Sequence, residues 1–364
     1  MFTVNWKRAV IKVGSSLIAP DNQCSQEYLR PIGQFISDSR KQGKEVILVS
    51  SGSVAAGKGK IAFKHHPSIV EKQAMAAIGQ TQMMANWASL FDFDCAQILL
   101  TSDDLHNRTR YVNIKNTLRE LLKNNALPIV NENDTVAINE LKVGDNDNLA
   151  AYTALVAEAD TLIICSDING LYDADPRSNT LAKLIPEVNV IDDSVYRLAG
   201  GAGSSMGTGG MHTKLQAAQK CVDSGIQTLI VNGRDPTVFE ELAKGHSPGT
   251  LFKPNKSLDN ARDNWLRHTL KVKGSIEIDH GAQHALLENG ASLLPSGIIE
   301  VNGRFLSGEA VNIIYKDNAI AKGIVLYSAT DLRSIKGLNS QKIESILGYT
   351  LGETVIHRDD LVLL

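Results

Sequence analysis

The sequence predicts an α/β protein in which helices sandwich an open, mainly parallel sheet, followed by a small C-terminal β-barrel domain. Short apolar, β-branched runs alternate with helical segments from residue 9 to about residue 250, which is typical of parallel sheets with helices on both faces. Beyond about residue 272 the pattern changes to short strands separated by turns. A chain of 364 residues also exceeds what one core usually holds, so we expect two domains.

Composition and charge limit the classes of function. Hydrophobic residues make up 43% and charged residues 21% of the chain, as in globular proteins. The net charge of -3 provides no basic field for nucleic acid or for a membrane surface, and no apolar run approaches the ~20 residues of a spanning helix. No signal-peptide core precedes the first strand-like run. Four cysteines without metal-ligand spacing predict reduced thiols in a cytoplasmic protein.

The first predicted strand, residues 9–13, contains a lysine, Lys12, and ends in Gly14-Ser15-Ser16. A lysine within an apolar run is costly to bury unless its ammonium group reaches a partner. It could equally belong to an edge strand, with its ammonium group in solvent. The following turn is not a Walker A loop, because Lys12 precedes the glycine.

The next segments continue the alternation of helices and strands. We expect a helix, a strand, a helix, a strand and a helix at residues 28–41, 45–50, 72–91, 96–100 and 108–125. The strand at 45–50 ends in Ser50-Ser51-Gly52, at the sheet edge where open α/β sheets bind ligands. An ordinary strand-to-helix turn uses the same residue types, so Ser51 alone remains ambiguous.

A fourth predicted strand, residues 127–130, leaves the sheet through polar residues that end at Asp134. The stretch Gly144-Asp145-Asn146-Asp147-Asn148 then precedes a helix predicted from Leu149 to Ala159. Asp, Asn and Gly favour turns and helix caps, so a capped loop is the simplest interpretation. The polar groups that end the neighbouring strands favour a functional site instead.

A fifth strand, residues 161–165, is followed by Ser166 and Asp167, and a last strand is predicted at 228–233. Between them, residues 200–210 contain six glycines and lead into a helix that carries Thr213 and Lys214. Glycine-rich backbone and a helix N-terminus together present N–H groups and positive potential to an anion. This segment is therefore a candidate phosphate site.

The C-terminal region is predicted to contain short strands at residues 275–278, 297–301, 310–315 and 320–328, with a tight turn at 316–319. Residues 255–364 carry 12 Lys and Arg against 13 Asp and Glu, which leaves no basic footprint for RNA. Arg333, Lys336 and Lys342 could still form a local basic patch. We expect the first domain to span 1–254, a linker 255–271 and the second domain 272–364.

Six segments resemble, in order, the glutamate 5-kinase family of the amino-acid kinase superfamily. They are residues 11–16, 50–52, 131–134, 143–149, 170–172 with 175–177, and 207–211 with 213–214. Bacterial members carry a C-terminal PUA domain, which the remaining chain fits. The resemblance implies the amino-acid kinase fold and an ATP-dependent phosphorylation of the side-chain carboxylate of L-glutamate. The product would be L-glutamyl 5-phosphate, in the first step of proline biosynthesis.

The resemblance also implies roles for individual residues. Lys12 and Lys214 would flank the transferred phosphoryl group, and Asp147 would hold both lysines. Glutamate would be bound by Ser51, Asp134 and Asn146, with Asp134 suited to the α-ammonium and the other two able to donate to carboxylate oxygens. The expected ATP-binding residues are Lys12, Ser166, Asp167, Thr208, Gly209, Gly210, Met211, His212, Thr213 and Lys214. Magnesium would bridge the phosphates, and no protein ligand is assigned to it.

Partners follow from the same resemblance. Proline is the expected feedback inhibitor, and a homo-oligomer, dimer or tetramer, is the expected assembly. Two alternatives stay open. One is an RNA-binding or regulatory protein that uses the PUA-like domain on a degenerate kinase scaffold, and the other is a kinase for another amino-acid carboxylate.

Overall fold

The structure, a computed structural model, describes residues 3–61, 65, 67–137, 146–199, 210–254 and 272–364. Part of the Asp- and Asn-rich stretch, most of the glycine-rich run and the predicted linker lie outside the described residues. The chain divides into two compact units. The first is built on an eight-stranded sheet and the second on a five-stranded sheet.

The strands of the first unit are β1 (Arg8–Val13), β2 (Glu45–Ser50), β3 (Cys95–Leu100), β4 (Leu127–Glu132), β5 (Thr161–Ser166), β6 (Glu187–Val188), β7 (Gln227–Asn232) and β8 (Thr250–Phe252). Their order in the sheet is β3-β4-β2-β1-β5-β7-β8-β6, and every neighbouring pair is parallel except β7 and β8. The predicted mainly parallel sheet is thus confirmed. The short strands β6 and β8 were not predicted, because two or three residues carry no periodic signal.

The helices that occur between β1 and β8 in the described part of the chain are α1 (Ser15–Ile18), α2 (Leu29–Lys41), α3 (Ser53–Lys58), α4 (Ile69–Ala88), α5 (Ser102–His106), α6 (Arg108–Lys123), α7 (Asn146–Val156), α8 (Asp193–Leu198), α9 (Met211–Asp223) and α10 (Thr237–Ala243). Helix α4 begins three residues earlier than expected, because Ser68 and Glu71 form a capping box. Helix α7 begins at Asn146 rather than at Leu149, so the Asn-Asp pair forms its first turn.

Side chains of the central strand β1 alternate between the two faces of the sheet. Ala9, Ile11 and Val13 belong to a buried apolar cluster that also contains residues of α2, α4 and α10. Lys12 therefore projects from the opposite face, where α7 packs across β1, β2 and β5 and also contacts α9. Because β2 and β5 flank β1 on either side, the edge-strand interpretation of Lys12 is wrong.

Helices α3 and α4 touch through glycines. A Cβ atom added at Gly79 would lie 1.8 Å from the carbonyl oxygen of Ser53, and one added at Gly57 would lie 1.9 Å from that of Met75. No larger residue fits at such a distance without moving a backbone. This contact fixes α3, which directly follows the Ser51 turn, against α4.

The second unit contains strands β9 (Val272–Ile278), β10 (Ile298–Gly303), β11 (Ala310–Tyr315), β12 (Asn318–Ile324) and β13 (Leu361–Leu363), and helices α11 (His280–Glu288), α12 (Ala329–Ile335) and α13 (Ile343–Leu347). The sheet order is β10-β9-β11-β12-β13, with β9 and β11 parallel and the other neighbours antiparallel. The turn between β11 and β12 consists of Lys316 and Asp317, with φ of 47° and 66°. It is therefore two residues shorter than predicted, and β12 begins at Asn318.

Candidate active site

A buried carboxylate, Asp147, lies between two lysines. Nζ of Lys12 is 2.6 Å from Oδ1 of Asp147, and Nζ of Lys214 is 3.0 Å from Oδ2. The hydroxyl of Thr213 also donates to Oδ2, at 3.0 Å. The Asp147 side chain is 0% exposed, and those of Lys12 and Lys214 are 8% and 6% exposed. One carboxylate thus contacts two ammonium groups in this cluster.

Three elements far apart in sequence bring these groups together. Lys12 lies near the carboxyl end of β1, Asp147 is the second residue of α7, and Lys214 lies in the first turn of α9. Helices α7 and α9 contact one another on the face of the sheet to which Lys12 projects. The sequence suggested each residue from a separate motif, and the structure places all three in direct contact.

The ionisation of Asp147 depends on two opposing effects. Burial alone would raise the pKa of this carboxyl group. The ammonium groups of Lys12 and Lys214 outweigh burial and hold the pKa below its ordinary value. Asp147 is therefore an anion at neutral pH and a poor proton acceptor, so the geometry suits it to holding the two lysines in place.

A second polar cluster adjoins the first, because Asn146 directly precedes Asp147. The Nδ2 amide group of Asn146 donates to Oγ of Ser51 at 2.7 Å and to Oδ1 of Asn131 at 2.9 Å. Ser51 follows the end of β2, and Asn131 lies near the carboxyl end of β4, the adjacent strand. Asn146 thus links the carboxyl ends of two strands to the start of α7.

Asp134 reaches the same turn through a serine. The hydroxyl of Ser53 donates to Oδ2 of Asp134 at 3.0 Å, and Ser53 and Ser51 flank Gly52. Gly52 has a φ of +98°, and a Cβ there would lie 2.8 Å from Cβ of Ile18, so the turn requires glycine. All three residues predicted to bind substrate, Ser51, Asp134 and Asn146, therefore meet this turn directly or through one hydrogen bond.

The residues predicted to bind ATP fall into two groups. Ser166 ends β5, and its hydroxyl donates to Oδ1 of Asp167 at 3.2 Å. Gly210 precedes α9, which begins with Met211, His212 and Thr213. Within the described ranges, no hydrogen bond or ion pair joins Ser166 or Asp167 to the Lys12–Asp147–Lys214 cluster.

Of the glycine-rich segment's predicted ATP-binding residues, Thr208 and Gly209 lie outside the described residues. The ring of His212 packs 5.3 Å from that of Tyr196 on α8, centroid to centroid, at an interplanar angle of 54°. His212 therefore joins α8 to α9, a contact that nothing in the sequence indicated.

The site residues predicted from the sequence did not include Asn131 and Gln80, which extend the second cluster. Nδ2 of Asn131 donates to Oε1 of Gln80 at 2.9 Å, and Nε2 of Gln80 donates to Oε1 of Gln97 at 3.0 Å. Asn131 is 1% exposed and Gln80 is 9% exposed. The available signal was a glutamine among the buried residues of α4, one turn from Met83 and Ala76.

Among the described residues, no group of three or more His, Cys, Asp or Glu side chains could hold a metal ion. Within the same residues, no helix has the length and apolar character to cross a membrane.

The basic residues of the second unit contribute to its own packing. Arg333 donates to the backbone carbonyls of Val301 and Gly303, and Nζ of Lys336 is 2.7 Å from Oε2 of Glu300. These contacts hold α12 against β10. Two of the three residues of the possible basic patch are thus engaged within the unit, which weakens the RNA-binding alternative.

Comparisons with known proteins identify both units. The model of the amino acid kinase family matches residues 7–232, and that of the PUA domain matches residues 274–347. Glutamate 5-kinase of Idiomarina loihiensis is 53% identical, over 99% of this chain and 98% of its own. The enzymes of that name from Salinibacter ruber and Xanthomonas campestris are 51% and 48% identical, over 98% of this chain and 97% and 100% of theirs.

Among solved structures, a UMP kinase from Bacillus anthracis aligns with 69% of this chain and 97% of its own, at 18% identity and a TM-score of 0.46. The family assignment rests on the other matches, which span both units at high coverage. The chain therefore belongs to the amino acid kinase family and, within it, to the glutamate 5-kinases.

Proposed function

We propose that this chain transfers the γ-phosphoryl group of ATP to the side-chain carboxylate of L-glutamate, giving L-glutamyl 5-phosphate in the first step of proline biosynthesis. The relatives named glutamate 5-kinase, 47–53% identical over nearly the whole chain, support the reaction. The buried pairing of Asp147 with Lys12 and Lys214 is the single structural observation that carries the proposal.

The chemistry explains why this pairing suffices. A carboxylate is already a nucleophile at neutral pH, so the reaction requires no general base. The barrier arises from repulsion between two anions and from charge on the transferring phosphoryl group, which positioned cations relieve. In the proposed mechanism Lys12 and Lys214 flank that group from opposite sides, and Asp147 fixes both ammonium groups without touching substrate. Their burial strengthens the effect, because a low local dielectric reduces screening.

Glutamate is proposed to bind at the turn after β2. Asp134 offers a carboxylate to the α-ammonium group, and Ser51 offers a hydroxyl to a carboxylate oxygen. Asn146 joins this pocket to the lysine cluster through its neighbour Asp147. The distance between pocket and cluster is thus set by adjacent residues of one helix.

ATP is proposed to lie along Ser166, Asp167 and the start of α9, with Thr208 and Gly209 completing the phosphate-binding segment. The amide groups of the first turn of α9 and its dipole favour an anion there. Magnesium would bind with ATP and neutralise phosphate charge. The phosphates and water would supply most of its ligands, because Mg²⁺ keeps much of its hydration.

The proposal extends to assembly, regulation and location. Exposed apolar residues on α4, Ile69, Val70 and Ile78, support a homo-oligomer, dimer or tetramer. Feedback inhibition by proline is proposed from the family alone. A cytoplasmic location fits four free thiols and the use of ATP. The proposed domain boundaries remain 1–254, 255–271 and 272–364.

The test is ATP consumption by the purified protein with L-glutamate, N-acetyl-L-glutamate or L-aspartate, with hydroxylamine present to trap an acyl phosphate. We expect a hydroxamate with glutamate alone, and a loss of at least about 100-fold in kcat for Lys12→Met and Lys214→Met. Lys220→Met is the matched control, because Lys220 joins α9 to Asn148 of α7 at 2.8 Å without contacting Asp147. Undiminished turnover in both lysine variants would refute the mechanism, and turnover with another acceptor alone would refute the substrate.

A further inference from the structure

The side-chain amide of Asn131 has a fixed orientation. The backbone N–H of Glu132 donates to Oδ1 of Asn131 at 2.9 Å. If the amide were rotated by half a turn, its NH2 group would face this N–H, and two donors would oppose each other. Since a backbone N–H cannot exchange donor for acceptor, it determines which end of Asn131 is the oxygen.

The orientation of Asn131 determines that of Asn146. Oδ1 of Asn131 is an acceptor, so the group of Asn146 that lies 2.9 Å away must be its NH2 group. The backbone carbonyl of Ser50 independently indicates the same orientation, because it lies 3.4 Å from Nδ2 of Asn146. Two backbone groups on different strands thus specify one orientation for the amide.

This orientation fixes what the pocket offers to a ligand. The two hydrogens of Asn146 Nδ2 are directed at Oγ of Ser51 and Oδ1 of Asn131. Ser51 accepts this bond, and its own hydrogen is not donated to any other group in the described part of the chain. In the same residues, no donor reaches Oδ1 of Asn146. Ser51 is therefore available as a donor and Asn146 as an acceptor.

Gln80 extends the chain of amides from Asn131 to the edge of the sheet. Its Oε1 accepts from Asn131 at 2.9 Å, and its Nε2 donates to Gln97, which is exposed on the edge strand β3. Without Gln80, the NH2 group of buried Asn131 would lose its acceptor. Donation thus runs outward from Asn146, to Ser51 on one side and through Asn131 and Gln80 to Gln97 on the other. Backbone groups of Glu132 and Ser50 fix this pattern.

We propose that Asn131 and Gln80 are positioning residues that set the hydrogen-bond polarity of the glutamate pocket, so that Ser51 donates to the α-carboxylate and Asn146 accepts, together with Asp134, from the α-ammonium. The proposal rests on the glutamate kinase reaction and assigns Asn146 the opposite role to the carboxylate donor expected from the sequence. Neither Asn131 nor Gln80 needs to touch the substrate.

Two glutamate analogues separate the roles of Ser51 and Asn146. Glutarate lacks the α-ammonium group, and 4-aminobutyrate lacks the α-carboxylate; each is measured as a competitive inhibitor of hydroxamate formation. Asn146→Ala should raise the inhibition constant of 4-aminobutyrate by about three- to tenfold and leave that of glutarate within twofold. Ser51→Ala should have the reverse effect on the two constants. The opposite pattern, with Asn146→Ala weakening glutarate, would overturn the assignment.

A second measurement tests Gln80 independently of the analogues. Gln80→Met keeps the length of the side chain and removes the acceptor, so KM for glutamate should rise by about three- to tenfold while kcat and KM for ATP stay within twofold. Asn86→Leu is the control on the same helix, since Asn86 donates to the Ser25 carbonyl at 3.1 Å, outside this chain of amides.

The control should lose thermal stability and keep its KM for glutamate. If Gln80→Met raises that KM no more than Asn86→Leu does, Gln80 is only a structural residue and the proposal fails. Wild-type protein without glutamate-dependent turnover would instead refute the reaction itself, so the two failures are distinguishable.

Discussion

Replacing Asp147 by asparagine should both destabilise the first unit and reduce its catalytic activity. The amide has the shape of the carboxylate, and its oxygen can accept from only one side. Its NH2 group would then face the second ammonium group, donor against donor. Two buried lysines, 8% and 6% exposed, would thus lose the carboxylate that both of them contact.

The size of the effect follows from burial. Removing one member of a buried ion pair typically costs about 3–5 kcal/mol, because the remaining charge stays buried without compensation. For a unit of this size such a loss should lower the melting temperature by on the order of 10 °C. The ammonium groups would also move from the positions proposed for them beside the transferred phosphoryl group, so we expect kcat to fall by about 100-fold.

The assay is thermal unfolding at neutral pH followed by hydroxamate formation, with Glu45→Gln as the control. Glu45 accepts from Arg8 at 2.7 Å, but its side chain is 41% exposed, so its loss should cost less than about 1 kcal/mol. A melting temperature of Asp147→Asn within 2 °C of the wild type, with kcat retained, would refute this role for Asp147.

Acid unfolding provides a second readout on the same variant. The pKa of Asp147 is lowered on folding, so its ionised form stabilises the protein above the ordinary aspartate range. That contribution should be lost as the pH falls through this range toward the lowered value. Asp147→Asn has no such group, so its stability should depend less steeply on pH there.

Three further predictions concern packing, thiols and a turn. Gly79→Ala should cost about 3 kcal/mol or more by thermal unfolding, because the new methyl group would lie 1.8 Å from the Ser53 carbonyl oxygen, whereas Gly281→Ala, with its nearest neighbour at 3.4 Å, should be near neutral. Burial raises the pKa of the Cys165 and Cys221 thiols to about 12, so both should resist a thiol reagent at pH 8 until the protein unfolds, and rapid labelling of either would contradict the structure. Replacing Lys316-Asp317 by Asn-Gly should stabilise the second unit by about 0.5–1 kcal/mol, since both positions have positive φ, and an unchanged or lower melting temperature would argue against a strained turn.

The sequence predicted the strands and helices of the first unit better than it predicted which strands lie next to each other in the sheet. Lys12 illustrates the limit, because an apolar run with one lysine fits both an edge strand and a central strand. Only the strand order, which places β1 between β2 and β5, decides between them. That order depends on which strands pair across the whole unit, and no local pattern encodes it.

Site residues that lie in a sequence motif could be predicted, whereas a residue that joins the site only through contact with a distant residue could not. Lys12, Asp147 and Lys214 each lie in a recognisable segment, although their contact spans 67 to 135 residues of sequence. Gln80 has no motif, and its bond to Asn131, 51 residues away, exists because α4 packs near the end of β4. A glutamine or asparagine in a sequence can be assigned to a site only when its hydrogen-bond partner is known. This chain of amides could therefore be identified only from the structure.

The surroundings of positions 146 and 147 require an amide at the first and a carboxylate at the second, so the order of Asn146 and Asp147 matters as well as their presence. Consecutive helical residues point about 100° apart, so the two side chains at the start of α7 reach different partners. Asn146 faces two acceptors, Oδ1 of Asn131 and the Ser50 carbonyl, and a carboxylate there would be repelled by both. Asp147 faces two cations, which an amide would satisfy on one side only. Exchanging the two residues would therefore leave each cluster with the wrong polarity, although the composition of the helix start would be unchanged.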